Sequence, residues 1–348
     1  MTNATKSEQS MPTIFPQAVV MQIVSGLGFS LAVKTAVELG VFSAFNNGKI
    51  TVSAMAESLS LNAPALSRLL KALQSISLVT QDEEGNYEVT EYGATLLTGK
   101  SSRSLEPLVK YLLHENVVQS MVEMKYSIQT GKPAFEKVFG EQWYGNHEMK
   151  DNYLQTMDKA MEIYSRMSLP ALLASYPFGQ YDVIVDVAGG LGQLISGVLQ
   201  SVPEAKGILF DLPETIERAS ANIGGSEIGE RCTLVPGSMF EQIPSGGSLY
   251  MISKVLNDWD DEHVVSILAN IRKVMTREAK LIIIENLPAK EGLSPEEAFR
   301  DLLFLVCSEG GSVRNLAELG KLVNQAGLDI LAVKQTPSKF SIIECAVR

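Results

Sequence analysis

Apolar residues recur at helical spacing from Val19 to Phe45, with Met21, Val24, Leu27, Leu31 and Val37 among them. The segment is apolar on more than one face, which a surface helix does not need and a helix buried between two subunits does. Two short helices are expected next, at 52–59 behind Thr51 and at 63–77 behind Asn62, because either cap can accept a free backbone N–H. In LVTQDEEGNYEVTEYG, Leu78 and Val79 lead into a turn at 82–86, and Tyr87 and Val89 alternate out of it, the pattern of a hairpin. Helix, helix, helix, hairpin is the order of a winged helix.

Helical stretches at 105–129 and 149–175 flank GKPAFEKVFGEQWYGNHE, which is too rich in Gly, Pro and aromatics to continue a helix. The Tyr-Pro-Phe-Gly at 176–179 breaks the pattern and reads as a domain boundary. Beyond it, short apolar runs at 183–187, 208–210, 233–235, 249–252, 281–284 and 330–333 alternate with amphipathic helices, the order of a parallel α/β sheet with crossover connections. The last run, 341–347, follows its predecessor through QTPSK alone and is a candidate antiparallel partner. The domain reading is therefore an arm at 1–17, a winged-helix dimerisation domain at 18–100, a helical linker and substrate-pocket region at 101–178, and a cofactor-binding domain at 179–348.

A length of 348 residues, at roughly 150 per domain, agrees with two domains that need no disulfide or metal staples. Lys and Arg number 29 against 40 Asp and Glu, a net charge of −11 that is repelled by phosphate backbones and anionic membranes and points to a small-molecule partner. The three cysteines, Cys232, Cys307 and Cys345, have neither paired nor ligand-like spacing, so no metal site is expected and a reducing cytoplasm is. The first 17 residues lack the basic-then-apolar order of a signal peptide and read as a flexible arm. The apolar stretch 19–33, interrupted by Gln22, Ser25 and Ser30 and closed by Lys34, reads as short of a membrane span.

The first strand of the α/β half ends in Asp186-Val187-Ala188-Gly189-Gly190-Leu191-Gly192 and opens a helix at Gln193. Such glycines let the backbone turn tightly beside a ligand, although a turn that serves packing alone has the same look. Asp211, at the end of the second strand and about 20 positions further on, is placed to accept ribose hydroxyls. This spacing fits a nucleoside, whether in a dinucleotide or an adenosyl cofactor. The missing GxGxxG pattern and the absence of nearby Arg or Lys favour a cofactor without phosphate.

Over nearly its whole length the chain resembles the S-adenosylmethionine-dependent O-methyltransferases with an N-terminal winged-helix dimerisation domain, the caffeate and polyketide type. The resemblance is carried by DVAGGLG, GILFDLPETIERA, GSMFEQIP, KVLNDWDDEHVVSIL, LIIIENLP and GGSVRNLAELGKLVNQAGL. It implies a Rossmann-like methyltransferase domain with a mostly parallel seven-stranded sheet, a homodimer, and S-adenosyl-L-methionine as cofactor with S-adenosyl-L-homocysteine as product. It further implies that Asp186, Ala188, Gly189, Gly190 and Gly192 surround the aminoacyl part of the cofactor, that Asp211 and Leu212 hold ribose and adenine, that Ser238, Met239 and Phe240 wall the adenine, and that Ser253 and Lys254 lie close by. Trp143, the helix with Tyr153, Met157, Met161 and Tyr164, and the helix with Phe299, Leu303 and Cys307 would line the acceptor pocket. Ordinary core packing explains any one of these apolar residues equally well. The stretch 288–297 is a candidate lid.

Two departures from the family's pattern fall on the cofactor side, Ala188 in place of the first of three glycines and Ser238 in place of an acidic residue before Met-Phe, and the third falls on the chemistry. The family's general-base histidine is replaced by Asn257, whose amide has no titratable nitrogen near neutral pH. The glutamate that orients that histidine is replaced by Val313, while Glu285, matching the other acidic partner, is kept. Asn with Val resembles the anthracycline-tailoring branch, whose members include a methyltransferase working by proximity and a relative that uses the cofactor without methyl transfer. Among the histidines, His263 reads as solvated in a first helical turn, His147 as a surface residue, and His114 as a pocket-lining helical residue and candidate acid or base. The first expectation is methyl transfer to oxygen of a hydrophobic natural product in secondary metabolism, by proximity and orientation. The alternative is a non-methylating hydroxylase or rearrangement enzyme on the same fold. The remote one, a winged-helix regulator, is opposed by a recognition helix whose only cations are Arg68 and Lys71.

Overall fold

A computed structural model describes residues 15–97, 104–143, 150–288 and 292–348. The chain divides into two compact units, Met1–Leu113 and His114–Arg348. The arm at 1–14, most of the stretch around the expected boundary at 100, His147, and the lid residues 289–291 lie outside the described residues.

In the first unit, α1 (Pro16–Glu38) and α2 (Val41–Ala44) replace the single helix expected over 19–45, because Gly40 at φ +74° turns the chain between them. Only Ala36 and Val37 of α1 are buried, while Val20, Ile23, Val24 and Leu27 stand 58–72% exposed. The expectation that this segment falls short of a membrane span is corrected in length and composition only: α1 has 23 residues and is apolar enough to cross a membrane, since its interrupting residues Gln22, Ser25 and Ser30 are uncharged. After β1 (Ile50–Thr51), Thr51 caps α3 (Val52–Ser58) by accepting the Ala54 N–H at 3.2 Å, and Asn62 caps α4 (Ala63–Ser75) by accepting that of Ala65 at 3.0 Å. The wing is β2 (Val79–Gln81) and β3 (Asn86–Val89), and its sheet runs β1-β3-β2. Two further helices, α5 (Glu91–Ala94) and α6 (Glu106–Leu112), follow. Phe42, Leu66, Leu70, Leu73 and Tyr87 meet in the core of this winged helix.

The helix expected over 105–129 is three, α6, α7 (Glu115–Val122) and α8 (Met124–Thr130). His114 breaks the first junction: its ψ of 146° is extended, and its Nδ1 accepts the Asn116 N–H at 3.3 Å as the cap of α7. The unit boundary falls at this break rather than near 178. Residues 114–178, with α9 (Ala134–Phe139) and α10 (Lys150–Ser175), belong with the cofactor half because α10 packs closely on the helix that follows the first strand of the large sheet. A Cβ at Gly197 of that helix would lie 2.1 Å from Leu169 Cδ2.

The large sheet is built from β4 (Val183–Val187), α11 (Gln193–Ser201), β5 (Lys206–Asp211), α12 (Pro213–Ile223), β6 (Cys232–Pro236), β7 (Leu249–Ser253), α13 (Asp261–Val274), β8 (Lys280–Glu285), α14 (Pro295–Cys307), α15 (Leu316–Gln325), β9 (Leu328–Gln335) and β10 (Ser341–Val347). Its order is β6-β5-β4-β7-β8-β10-β9, with β10 antiparallel to both neighbours and β4 to β8 parallel. Completely buried Val185, Ile184, Leu209, Met251 and Ile283 hold the helices to its two faces. The strand order reverses at β4, which has β5 on one side and β7 on the other, so a crevice opens beyond their C-terminal ends.

Candidate active site

The β4–α11 turn is shaped by the backbone rather than by bulk. Ala188, Gly190 and Gly192 have φ of +55°, +61° and +78°, and at Gly189 an added Cβ would lie 2.6 Å from the Asp186 carboxyl carbon and 2.5 Å from Leu209 Cδ1. Ala188 therefore holds a left-handed conformation that its methyl group disfavours. The Gly190 N–H donates to Asp211 Oδ2 at 2.8 Å and the Leu212 N–H to Oδ1 at 2.7 Å, which ties the end of β5 to the turn. Burial raises the Asp211 carboxyl, and these two N–H groups oppose it. Leu212 is 51% exposed at the rim.

Asp186 is buried with no well-formed hydrogen bond on either carboxylate oxygen, the Ile195 N–H lying near enough to favour its charged form, and the Ser253 hydroxyl at the end of β7 is also buried without a partner. Burial pushes Asp186 up to about 7 against the pull of the Lys254 charge. Lys254 has φ +59° and donates from Nζ to Ser165 Oγ at 3.0 Å, and burial lowers its ammonium to about 8 against the charges of Asp186 and Glu285. Ser238 accepts the Phe240 N–H at 3.3 Å and the Met239 carbonyl accepts from Asn270 at 3.1 Å, which fixes this loop beside β6. Phe240 stands edge-on to Trp259 at 4.8 Å and to His263 at 5.4 Å. His263 is thus packed on the Phe240 ring and paired with its helix cap Asp260 at 2.8 Å, not merely solvated.

On the other side, Asn257 is buried in the 3-10 turn Leu256–Asp258 and donates from Nδ2 to Glu285 Oε2 at 2.9 Å. The second oxygen of Glu285 accepts the Leu256 N–H at 3.2 Å, and burial pushes this carboxyl up to about 7 against the charges of Arg300 and Lys254. Val313, where the orienting acid was missing, donates its N–H to Asp301 at 2.8 Å. His114 lies against Tyr153, ring centroids 4.7 Å apart, and Tyr153 accepts from the Trp143 indole N–H at 2.6 Å. Trp143 is buried, Met157, Met161 and Tyr164 are part-buried along α10, and Phe299 is 39% exposed. Leu303 and Cys307 follow at four-residue steps along α14 and are buried, and burial pushes the Cys307 thiol up to about 12. The candidate lid is in part a formed helix start: Ser294 and Glu297 exchange a capping box at the head of α14.

Residues 121–329 match the model of the O-methyltransferase domain, and residues 21–99 match that of the O-methyltransferase dimerisation domain. The chain belongs to the O-methyltransferase family. A phenazine O-methyltransferase of Lysobacter antibioticus is 30% identical over 329 residues, 94% of this chain and 95% of that protein. The crystal structure of LaPhzM superposes with a TM-score of 0.90 at 28% identity, covering 96% of this chain and 100% of its own. That of an O-methyltransferase from neocarzinostatin biosynthesis, in complex with S-adenosylmethionine and 2-hydroxy-5-methyl naphthoic acid, superposes at 0.79 with 29% identity and coverage of 92% and 96%.

The dimerisation-domain match accounts for the winged helix, so the regulator reading gives way, and it agrees with the expected homodimer. Two residues of this O-methyltransferase escaped the sequence reading. Arg314 donates to the Leu256 carbonyl at 2.9 Å, the Trp259 carbonyl at 2.7 Å and Asp261 at 2.9 Å, clamping the turn that carries Asn257. The preceding double glycine was the available signal, since a Cβ at Gly311 would lie 2.8 Å from the Asn257 carbonyl oxygen. The other is Arg300 of α14, whose Nε and Nη2 are buried without a hydrogen-bond partner.

Proposed function

We propose that this O-methyltransferase is S-adenosylmethionine-dependent (EC 2.1.1.-) and moves a methyl group to oxygen of a hydrophobic, aromatic or polyketide-like natural product, with Asn257 orienting the acceptor where a histidine base would otherwise stand. The observation that carries it is the β4–β5 crevice: the buried Asp186 carboxylate and the Asp211 carboxylate offer acceptors where an adenosyl amino acid has an ammonium and ribose hydroxyls, and the open space at Gly190 leaves room between them. The group fits there because each of these acceptors keeps unused lone pairs and no phosphate-binding cation crowds the turn. Exposed Leu212 and the Phe240 edge supply the apolar surfaces that an adenine ring needs.

When bound, S-adenosylmethionine supplies an electrophilic methyl group on a sulfonium and leaves as S-adenosylhomocysteine. Asp186 would anchor the aminoacyl end, with Ser253 beside it; Asp211 would hold the ribose. Asn257 has one N–H committed to Glu285, which fixes the plane of its amide, so its remaining N–H and its oxygen are the groups free to position an acceptor hydroxyl. Neither can remove a proton, and both oxygens of Glu285 are engaged by Leu256 and Asn257, so the acceptor ionises by itself and the protein contributes placement. Arg314 keeps the Asn257 turn in place through its two carbonyl contacts.

Incubation with methyl-labelled S-adenosylmethionine and a panel of hydroxylated aromatic acceptors tests this reading. The expected product is heavier by one CH2 with one cofactor consumed per turnover. A product that gains oxygen, or an isomer formed without cofactor consumption, would favour the non-methylating alternative. A reducing cytoplasm is supported by three buried, unpaired cysteines.

A further inference from the structure

Arg300 sits one turn into α14, between Phe299 and Asp301, with its Nε and Nη2 withdrawn from solvent and bonded to nothing. Buried N–H groups without a partner are costly, and native proteins retain them where a ligand, water or ion completes them. The carboxylates around it are committed elsewhere. Glu285 accepts from Leu256 and Asn257, and Glu297 accepts the Ser294 N–H at 2.7 Å. Glu296 pairs with Lys339, and Asp301 accepts the Val313 N–H at 2.8 Å. The positive charge is nevertheless felt by Glu285, the carboxylate that holds Asn257, and by Tyr164 of α10.

Nε and Nη2 form one edge of the planar fork, the edge that meets the two oxygens of a carboxylate with parallel N–H bonds. We propose that Arg300 determines acceptor specificity and that the acceptor is an aromatic acid, its carboxylate gripped side-on by Nε–H and Nη2–H while its hydroxyl is presented to Asn257. The proposal rests on the methyltransferase reading of this same site. It also explains how an acidic protein attracts an anionic acceptor: the cation is partly withdrawn from solvent, where water screens it less.

Binding separates the two readings because it needs no turnover. Wild type, Arg300→Met and Arg300→Lys, each saturated with S-adenosylhomocysteine, are titrated by calorimetry with a hydroxynaphthoic acid and its methyl ester. Wild type is expected to prefer the acid by about 30-fold or more, the scale of a buried charged pair that loses one partner. Arg300→Met abolishes that preference, and Arg300→Lys keeps part of it, with charge but no fork. S-adenosylhomocysteine affinity reports whether each variant is folded; if Arg300→Met is not, a smaller acid preference in Arg300→Lys than in wild type decides in its place. An acid-to-ester ratio unchanged by either substitution, or a wild type that binds both alike or neither, overturns the proposal. A retained acid preference without methyl transfer to the acid would count against the methyltransferase reading alone.

Discussion

The two sides of the cleft are completed to different degrees. On the β4–β5 side, backbone N–H groups hold Asp211, glycines leave room beside Asp186, and these backbone contacts set the shape of the turn. On the β7–β8 side, the side chains are fixed to one another, Asn257 to Glu285 and Arg314 to the turn between them, but the amide of Asn257 cannot play the part of a histidine base. Lys254 lies between, its charge felt by Asp186 on one side and Glu285 on the other. The difference teaches that recognition of an unvarying cofactor can be written into backbone geometry, whereas the acceptor side is written in side chains.

The largest effect expected on the comparison is at its rigid half. Gly189→Ala places a methyl group 2.6 Å from the Asp186 carboxyl carbon, and overpacking of about 3 kcal/mol would weaken S-adenosylhomocysteine binding about 100-fold by calorimetry. Affinity within a factor of a few would show that the turn is not the preorganised element described above. The buried carboxylate of the other half makes a stability prediction. Glu285 rises from 4.5 to about 7 on folding, so the folded chain holds the proton more tightly, and stability falls as pH rises from about 4.5 through 7. At pH above 7 the cost is at most about 3 kcal/mol, and urea unfolding of Glu285→Gln should show a flatter pH dependence than wild type across that window. Equal slopes would mean that burial does not govern this group.

Smaller changes sharpen the acceptor side. Asn257→His installs a base without its orienting glutamate, so a gain of about 10-fold or less on a weakly acidic phenol at pH 8 is expected, at or below the lower end of what positioned bases deliver. A gain of several hundredfold would show that the site is built for a base after all. His114→Ala is expected to cost about 1 kcal/mol through loss of the α7 cap, with the pH profile of turnover unmoved. A shifted profile would return His114 to the chemistry.

The legible parts of the fold are those that local rules dictate. The strands lie where short apolar runs were read, β10 is antiparallel as the brief QTPSK connection required, and Thr51 and Asn62 cap their helices. The glycine turn was legible because positive φ leaves a mark in composition. The break at His114 was not, since apolar periodicity runs through α6 and α7 alike and an extended histidine carries no signal of its own. The boundary at 178 was drawn at a true turn, but the packing of Leu169 on Gly197 that joins α10 to the later half is a long-range fact. Arg300 was passed over because an arginine after two glutamates in PEEAFRD has the look of a solvated helix face, and it is the tertiary packing that withdraws its Nε and Nη2 from water.

The central claim is that the acceptor ionises by itself and the protein only places it. The most direct test is the pH dependence of kcat/KM for methyl transfer to two acceptors of the same skeleton whose hydroxyl groups differ in pKa by about two units, a span wide enough to resolve. The account predicts a breakpoint that moves with the acceptor hydroxyl. A breakpoint fixed near 7 for both acceptors, and removed by Glu285→Gln, would assign the proton to Glu285 and contradict it.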